Sequence, residues 1–149
     1  MTGETWTIFW NKYSADTYLF GSKINYHKRD DVEFTNHLMS PGSVIKTWYS
    51  KTNYHTQRIE PELPMIDGES EYRIIINMDV PKGQSCLVRL VFYDKYGLEA
   101  GYLNVWEKQM DFKCPLKTYS YCMQLVNGGM QEVRFHYIMI QEKLNETEN

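Results

Sequence analysis

The sequence predicts an all-β fold, an antiparallel two-sheet β-sandwich of jelly-roll type, and three observations carry that prediction. Aromatic residues make up 15% of the 149 residues, with 12 Tyr, 6 Phe and 4 Trp, and aromatic side chains suit the pleated, half-buried surface of a strand. Apolar and polar residues alternate with period two in one stretch after another, the mark of strands with one face inward. No window of ten or more residues holds a 3.6-residue apolar period, so amphipathic helices are not expected.

The elements follow in order. Trp6, Ile8 and Trp10 share one face of a first strand, and Val32, Phe34 and Asn36 mark a short strand after the charged turn at Lys28–Asp31. A β-branched and aromatic run, Val44 to Ser50, starts after the turn signal Pro41-Gly42. Tyr72, Ile74, Ile76, Met78 and Val80 alternate with Arg73, Ile75, Asn77 and Asp79 until Pro81-Lys82-Gly83 closes the strand. Cys86, Val88, Leu90 and Phe92 then alternate with Leu87, Arg89, Val91 and Tyr93, and Asp94-Lys95-Tyr96-Gly97 turns the chain into a hairpin with Gly101–Trp106. Gln109–Lys113 is a short strand that ends at Pro115. Tyr119, Tyr121, Met123 and Leu125 lead to Asn127-Gly128-Gly129, which reads as a tight hairpin turn. In the returning strand, Val133, Phe135, Tyr137 and Met139 are expected on one face, with Arg134, His136, Ile138 and Ile140 on the other. About nine short strands without a repeat or linker place residues 1–140 in one sandwich domain, and residues 141–149 read as a polar C-terminal tail. Thr52 to Glu71, with Pro61, Pro64 and Gly68, lacks alternation. It is either a functional loop or a crossover between the sheets.

Bulk properties remove several function classes. The net charge is −3, and the basic cluster His27-Lys28-Arg29 is cancelled by Asp30-Asp31, so no nucleic acid is expected as a partner. No stretch approaches the ~18 apolar residues of a membrane helix. Residues Met1 to Trp6 show no basic region followed by an apolar one, which points to a cytoplasmic protein. Cys86, Cys114 and Cys122 form an odd set without a CxxC pair and are expected to be reduced thiols packed as small hydrophobes. The sequon Asn145-Glu146-Thr147 reads as a chance match in such a chain.

Positive signs of catalysis are missing. His27, His37, His55 and His136 are far apart, without HxxxH or HExxH spacing, so no metal is expected, and His136 between Phe135 and Tyr137 should pack or cap locally. There is no GxSxG elbow and no Gly-rich loop opening a helix. Neither an enzyme nor a cofactor is expected. The remaining candidates are aromatic. Trp48, Tyr49, Tyr54, His55 and Trp106, with Asn53 and Asn104 near them in sequence, form a candidate platform for a carbohydrate or a protein partner. Each ring has an apolar body, and the amides can meet hydroxyls. The alternative is that these rings fill the core or a subunit interface. Alternation puts Trp48 and Tyr49 on opposite faces, so at most one of them belongs to the core.

Several segments in order resemble one family. They are Thr17-Tyr18-Leu19-Phe20-Gly21-Ser22, Phe34-Thr35-Asn36-His37-Leu38-Met39-Ser40-Pro41-Gly42, Thr52-Asn53-Tyr54-His55, Phe92-Tyr93-Asp94-Lys95-Tyr96-Gly97 and Phe135-His136-Tyr137-Ile138. From Trp6 to Ile140 the chain resembles the third member of the Asp group of accessory secretory proteins, part of the accessory Sec system of Gram-positive bacteria. The resemblance implies a fold similar to carbohydrate-binding modules and a non-catalytic subunit. It implies as partners the two other Asp-group proteins, which resemble a glycosyltransferase and a carbohydrate acyl-modifying hydrolase, together with an accessory Sec motor ATPase and a glycosylated serine-rich repeat adhesin. The expected role is therefore to scaffold sister subunits in adhesin glycan modification and export. The place of work is the cytoplasm, with the inner face of the plasma membrane reached through the export complex. The alternative role is a carbohydrate-binding module that holds N-acetylhexosamine-bearing repeats. An unpaired edge strand would also invite a second copy, leaving a homo-oligomer open.

Overall fold

Ten strands among the described residues are divided between two antiparallel sheets. The computed structural model describes residues 3–11, 17–50 and 63–143. The strands are β1 (Thr5–Ile8), β2 (Lys23–Lys28), β3 (Asp31–Thr35), β4 (Val44–Tyr49), β5 (Glu71–Asp79), β6 (Cys86–Tyr93), β7 (Glu99–Val105), β8 (Gln109–Lys113), β9 (Ser120–Asn127) and β10 (Glu132–Lys143). One sheet has the order β2-β3-β10-β5-β8, with β1 also on β10; the other has the order β4-β9-β6-β7. No helix occurs among the described residues, so the expected two-sheet β-sandwich is the observed fold.

The inward faces make a core rich in rings. Trp10, Phe34, Phe135 and Trp48 pack with centroids 5.5–5.8 Å apart. Tyr72, Phe112, Phe92 and Tyr121 form a second cluster at 5.7–6.2 Å. Spacings of this kind stabilise beyond the buried area alone. Leu63 and Ile66 are buried with them. The Tyr121 hydroxyl donates to the Pro64 carbonyl at 2.6 Å, and the Asp67 amide donates to the Tyr72 hydroxyl at 2.8 Å. The segment from Leu63 onward therefore packs into the core and is pinned to it. It completes a connection from β4 in one sheet to β5 in the other; residues 52–62 lie outside the described residues.

Four details differ from the sequence expectations. First, β2 forms a strand that alternation does not mark, because it is an outer strand with mostly exposed or half-buried side chains. Second, the turn at Asn127-Gly128-Gly129 does not join a hairpin: β9 pairs β4 and β6, whereas β10 pairs β3, β5 and β1. Asn127 is buried and builds this corner, accepting from the Gly129 and Met130 amides at 2.8 and 2.9 Å and donating to the Met130 carbonyl at 3.1 Å. Third, the register of β10 against β5 shifts between Phe135 and Tyr137. This bulge turns the strand over, so Val133, Phe135, Ile138 and Ile140 are the buried set. Fourth, Gln141, Glu142 and Lys143 continue β10 and pair with Arg73, Tyr72 and Glu71, so the strand extends into the stretch expected as a tail. By contrast, β6 and β7 form the hairpin expected at Asp94–Gly97, with Gly97 at φ 81°.

Candidate binding surfaces

The structure separates the candidate aromatic residues. Trp48 is fully buried: its Nε1 donates to the Phe9 carbonyl at 3.0 Å and its ring stacks on Phe135. Its expectation as a platform residue is therefore corrected, since no ligand can reach the ring. Buried Lys46 holds its Nζ 5.3 Å from the Trp48 ring and 6.0 Å from the Trp10 ring, a cation–π arrangement away from water. Asn53, Tyr54 and His55 lie outside the described residues. Tyr49 and Trp106 lie toward opposite edges of the four-stranded sheet.

Tyr49 belongs to the outer face of that sheet. The strand registers align Tyr49, Cys122, Val91 and Tyr102 in one row, and Thr47, Gln124, Arg89 and Asn104 in the next. Arg89 Nε donates to Asn104 Oδ1 at 2.9 Å, which fixes both side chains. Strands lie about 4.8 Å apart, so Tyr49 and Tyr102 stand roughly 14 Å from each other. They are too far apart to clamp one sugar ring. Beside them the Tyr93 hydroxyl lies 3.8 Å from Cys122 Sγ, and burial pushes its pKa up to about 12.

Trp106 stands one residue past β7, where the chain leaves one sheet for the other to begin β8 at Gln109. It is 61% exposed. Its benzo ring nonetheless lies against Gly128, where a Cβ would come within 2.9 Å of Cζ3 and 3.2 Å of the Ser85 carbonyl oxygen. Only glycine leaves room for the indole to lie against that corner. β8 pairs β5 from Glu71 to Ile75, and the Lys108 carbonyl takes the Ile76 amide at 2.7 Å. Beyond that point β5 has no strand partner on this side among the described residues. The sheets part there into a cleft of about 290 Å³. Buried Ile76, Cys86 and Val105 form its floor, and Trp106 with Gln84, Glu107 and Lys108 stand around it.

A second cleft of about 310 Å³ adjoins the first through Asp79 and Val80 and reaches Glu33, Glu132 and Arg134. Arg134 Nη2 donates to Asp31 Oδ2 at 2.8 Å, and this pairing holds Asp31 down to about pKa 2. His136, placed by the β10 bulge, meets the Asp30 carbonyl with Nδ1 at 2.8 Å and the Asp79 carboxylate with Nε2 at 3.1 Å. Both ring nitrogens face acceptors, a set that the doubly protonated imidazolium satisfies. Burial pulls its pKa down, but the Asp30 carbonyl and then the Asp79 carboxylate outweigh it, and the net direction is upward. This is the local capping role expected for His136.

Among the described residues no cluster of three or more His, Cys, Asp or Glu can hold a metal ion. Cys86, Cys114 and Cys122 are buried, and burial pushes the Cys86 thiol up to about 12, which keeps it an unreactive thiol. No helix among the described residues is long and apolar enough to cross a membrane. Sequence reasoning found Trp106 but missed Gln84, Glu107 and Lys108 around it. They come from separate segments that only the sheet crossover unites, and no local pattern marks them.

Fold and surfaces together define a class: a two-sheet β-sandwich whose surface carries clefts lined by mixed polar and aromatic residues. A family model described as Accessory Sec secretory system ASP3 matches residues 17–142, and the chain belongs to that family. It is 34% identical over 131 residues to the accessory Sec system protein of that name from Streptococcus gordonii, spanning 88% of this chain and 82% of that one. In a crystal structure of accessory secretory proteins 1, 2 and 3 from Streptococcus pneumoniae, one chain superposes with a TM-score of 0.85 at 27% identity, covering 93% of this chain and 96% of that chain. The Glycosylation Associate Protein (Gap123) complex from Streptococcus agalactiae matches with a TM-score of 0.86 at 29% identity. The match covers 96% of this chain and 46% of that one, so the chain spans about half the length of that relative.

Proposed function

We propose that this protein is a non-catalytic subunit of the accessory Sec export machinery. In this reading it works in the cytoplasm and reaches the inner face of the plasma membrane through the export complex. It binds the two other Asp-group proteins and serves as their scaffold while the glycans of serine-rich repeat adhesins are modified and the adhesin passes to the accessory motor ATPase. The observation that carries the reading is the likeness, at a TM-score of 0.85 and over nearly the whole chain, to a protein solved in complex with its two sisters. Co-expression of the three proteins with an affinity tag on this chain tests it. Recovery of a stoichiometric ternary complex is the expected result; a chain that elutes alone refutes it.

A second reading has its own support. A carbohydrate-binding module that holds N-acetylhexosamine-bearing adhesin repeats needs an aromatic ring open to ligand and held in place, and Trp106 is such a ring. Calorimetry against the glycosylated repeat, with the unglycosylated repeat as control, measures this directly. Heat seen only with the glycosylated form is expected, and its absence leaves the scaffold reading standing alone.

A further inference from the structure

We propose that the cleft beside Trp106 is a binding site for an uncharged pyranose unit of a glycan, with the indole as the stacking platform. This rests on the second reading above and supplies what that reading lacks, a site and a ligand class.

An exposed aromatic side chain ordinarily loses rotamer freedom when a ligand binds. The Trp106 indole is already braced against the corner at Gly128, so much of that ordering is present before binding. The remaining indole surface lines the cleft, and an apolar ring surface is what the C–H face of a pyranose covers.

The polar groups fit the other half of a sugar. Gln84 Oε1 accepts from the Gln131 and Glu132 amides at 2.8 and 3.3 Å. Those bonds fix the side chain and leave its amide nitrogen available as a donor. Lys108 adds a donor, Glu107 an acceptor, and the Ser85 hydroxyl serves as either. Sugar hydroxyls donate and accept, so a mixed set suits them, whereas a purely apolar ligand would leave these groups without partners.

Charge and size narrow the class. Asp79, already paired with His136, and Glu107 border the cleft against one lysine, so no surplus of positive charge favours phosphorylated or sialylated ligands. The volume of about 290 Å³ lies just below the ~300–1,000 Å³ usual for small-molecule sites, room for one or two sugar rings. The second cleft shares Asp79 and Val80, so a longer chain can continue past Val80.

The test uses the full chain labelled with ¹⁵N. N,N′-diacetylchitobiose and cellobiose are the neutral probes, sialyllactose is the anionic one, and the Trp106 indole N–H is the reporter. Neutral probes should shift that resonance with a Kd on the order of millimolar, typical of single sugar units bound through a few contacts. Trp106→Ala should weaken binding at least tenfold, and Trp106→Phe should restore part of it. Glu107→Gln, a milder change at an exposed position, should weaken binding severalfold without moving the melting temperature. A glycosylated repeat that binds wild type and Trp106→Ala equally well overturns the cleft and leaves the second reading intact. If the glycosylated repeat and the sugars all fail to bind wild type, the second reading falls with it. Preference for sialyllactose overturns the ligand class. Perturbation of the Trp106 signal by the sister subunits alone, with every sugar silent, overturns the proposal in favour of a protein contact.

Discussion

Trp48 lies on β4, at one edge of the four-stranded sheet, and Trp106 lies one residue past β7, at the other. Both are held by a neighbouring backbone, in opposite ways. Trp48 gives its N–H to the Phe9 carbonyl and buries its ring between the sheets on Phe135. Trp106 rests on Gly128 and leaves most of its surface open. The same residue type thus serves as a core plug where the sheets close on each other, and as an exposed ring where they part. What decides between the two is whether a second sheet lies over the position.

Substitutions can break this contrast, beginning with the largest effect. Trp48→Ala removes a ring from the centre of an aromatic cluster and should cost about 3–5 kcal/mol. The thermal midpoint should fall on the order of 10 °C, read by circular dichroism; a change of only a degree or two would mean that the ring is not the plug described. Gly128→Ala places a methyl 2.9 Å from Trp106 Cζ3 and 3.2 Å from the Ser85 oxygen. The indole can yield but the backbone yields less, so a loss of about 1–2 kcal/mol is expected, with a shift in Trp106 fluorescence. An unshifted spectrum would refute the contact.

A pH effect sharpens the contrast further. His136 has a folded pKa raised above the roughly 6.5 of an unfolded histidine. Its contribution to stability is therefore full below that unfolded value and is lost as pH rises through the folded one. The melting temperature should decline across this window for wild type and less so for His136→Gln; parallel profiles would show that the contacts with Asp30 and Asp79 contribute nothing. The smallest effect belongs to Trp106→Ala, expected to change stability by no more than about 0.5 kcal/mol. A loss comparable to that of Trp48→Ala would make Trp106 a structural residue and remove it as a binding platform.

Much of the fold was legible in the sequence, because alternation reports local burial. Together with turn signals and β-branched runs it marked every strand but β2, and it put Trp48 and Tyr49 on opposite faces. It did not say which face meets the second sheet, and that distinction decides which tryptophan is available. The turn Asn127-Gly128-Gly129 announced a tight corner correctly, but a turn signal does not state whether the flanking strands pair with each other, and here they enter different sheets. The bulge in β10 was invisible for a related reason. A strict two-residue period assumes an unbroken pleat, and the extra residue at His136 moved Ile138 and Ile140 inward in place of Tyr137 and Met139. The cleft was the least legible feature, since Gln84, Trp106 and Val80 meet only through the order of the strands.

The position of β10 also bears on how the chain can be assembled in time. β5 occupies one side of it, while β3 and β1 share the other, on either side of the bulge. The strand that joins β1, β3 and β5 is the last one in the described chain, and Thr5 waits for Gln141. The four-stranded sheet has all its strands once Asn127 has been made; the other has no central strand until synthesis reaches the end of β10. Pairings of such long sequence separation form slowly. A nascent chain halted before Glu132 would therefore carry one complete sheet faced only by the β2–β3 and β5–β8 pairs without the strand that joins them, a species for chaperones to shield and proteases to find.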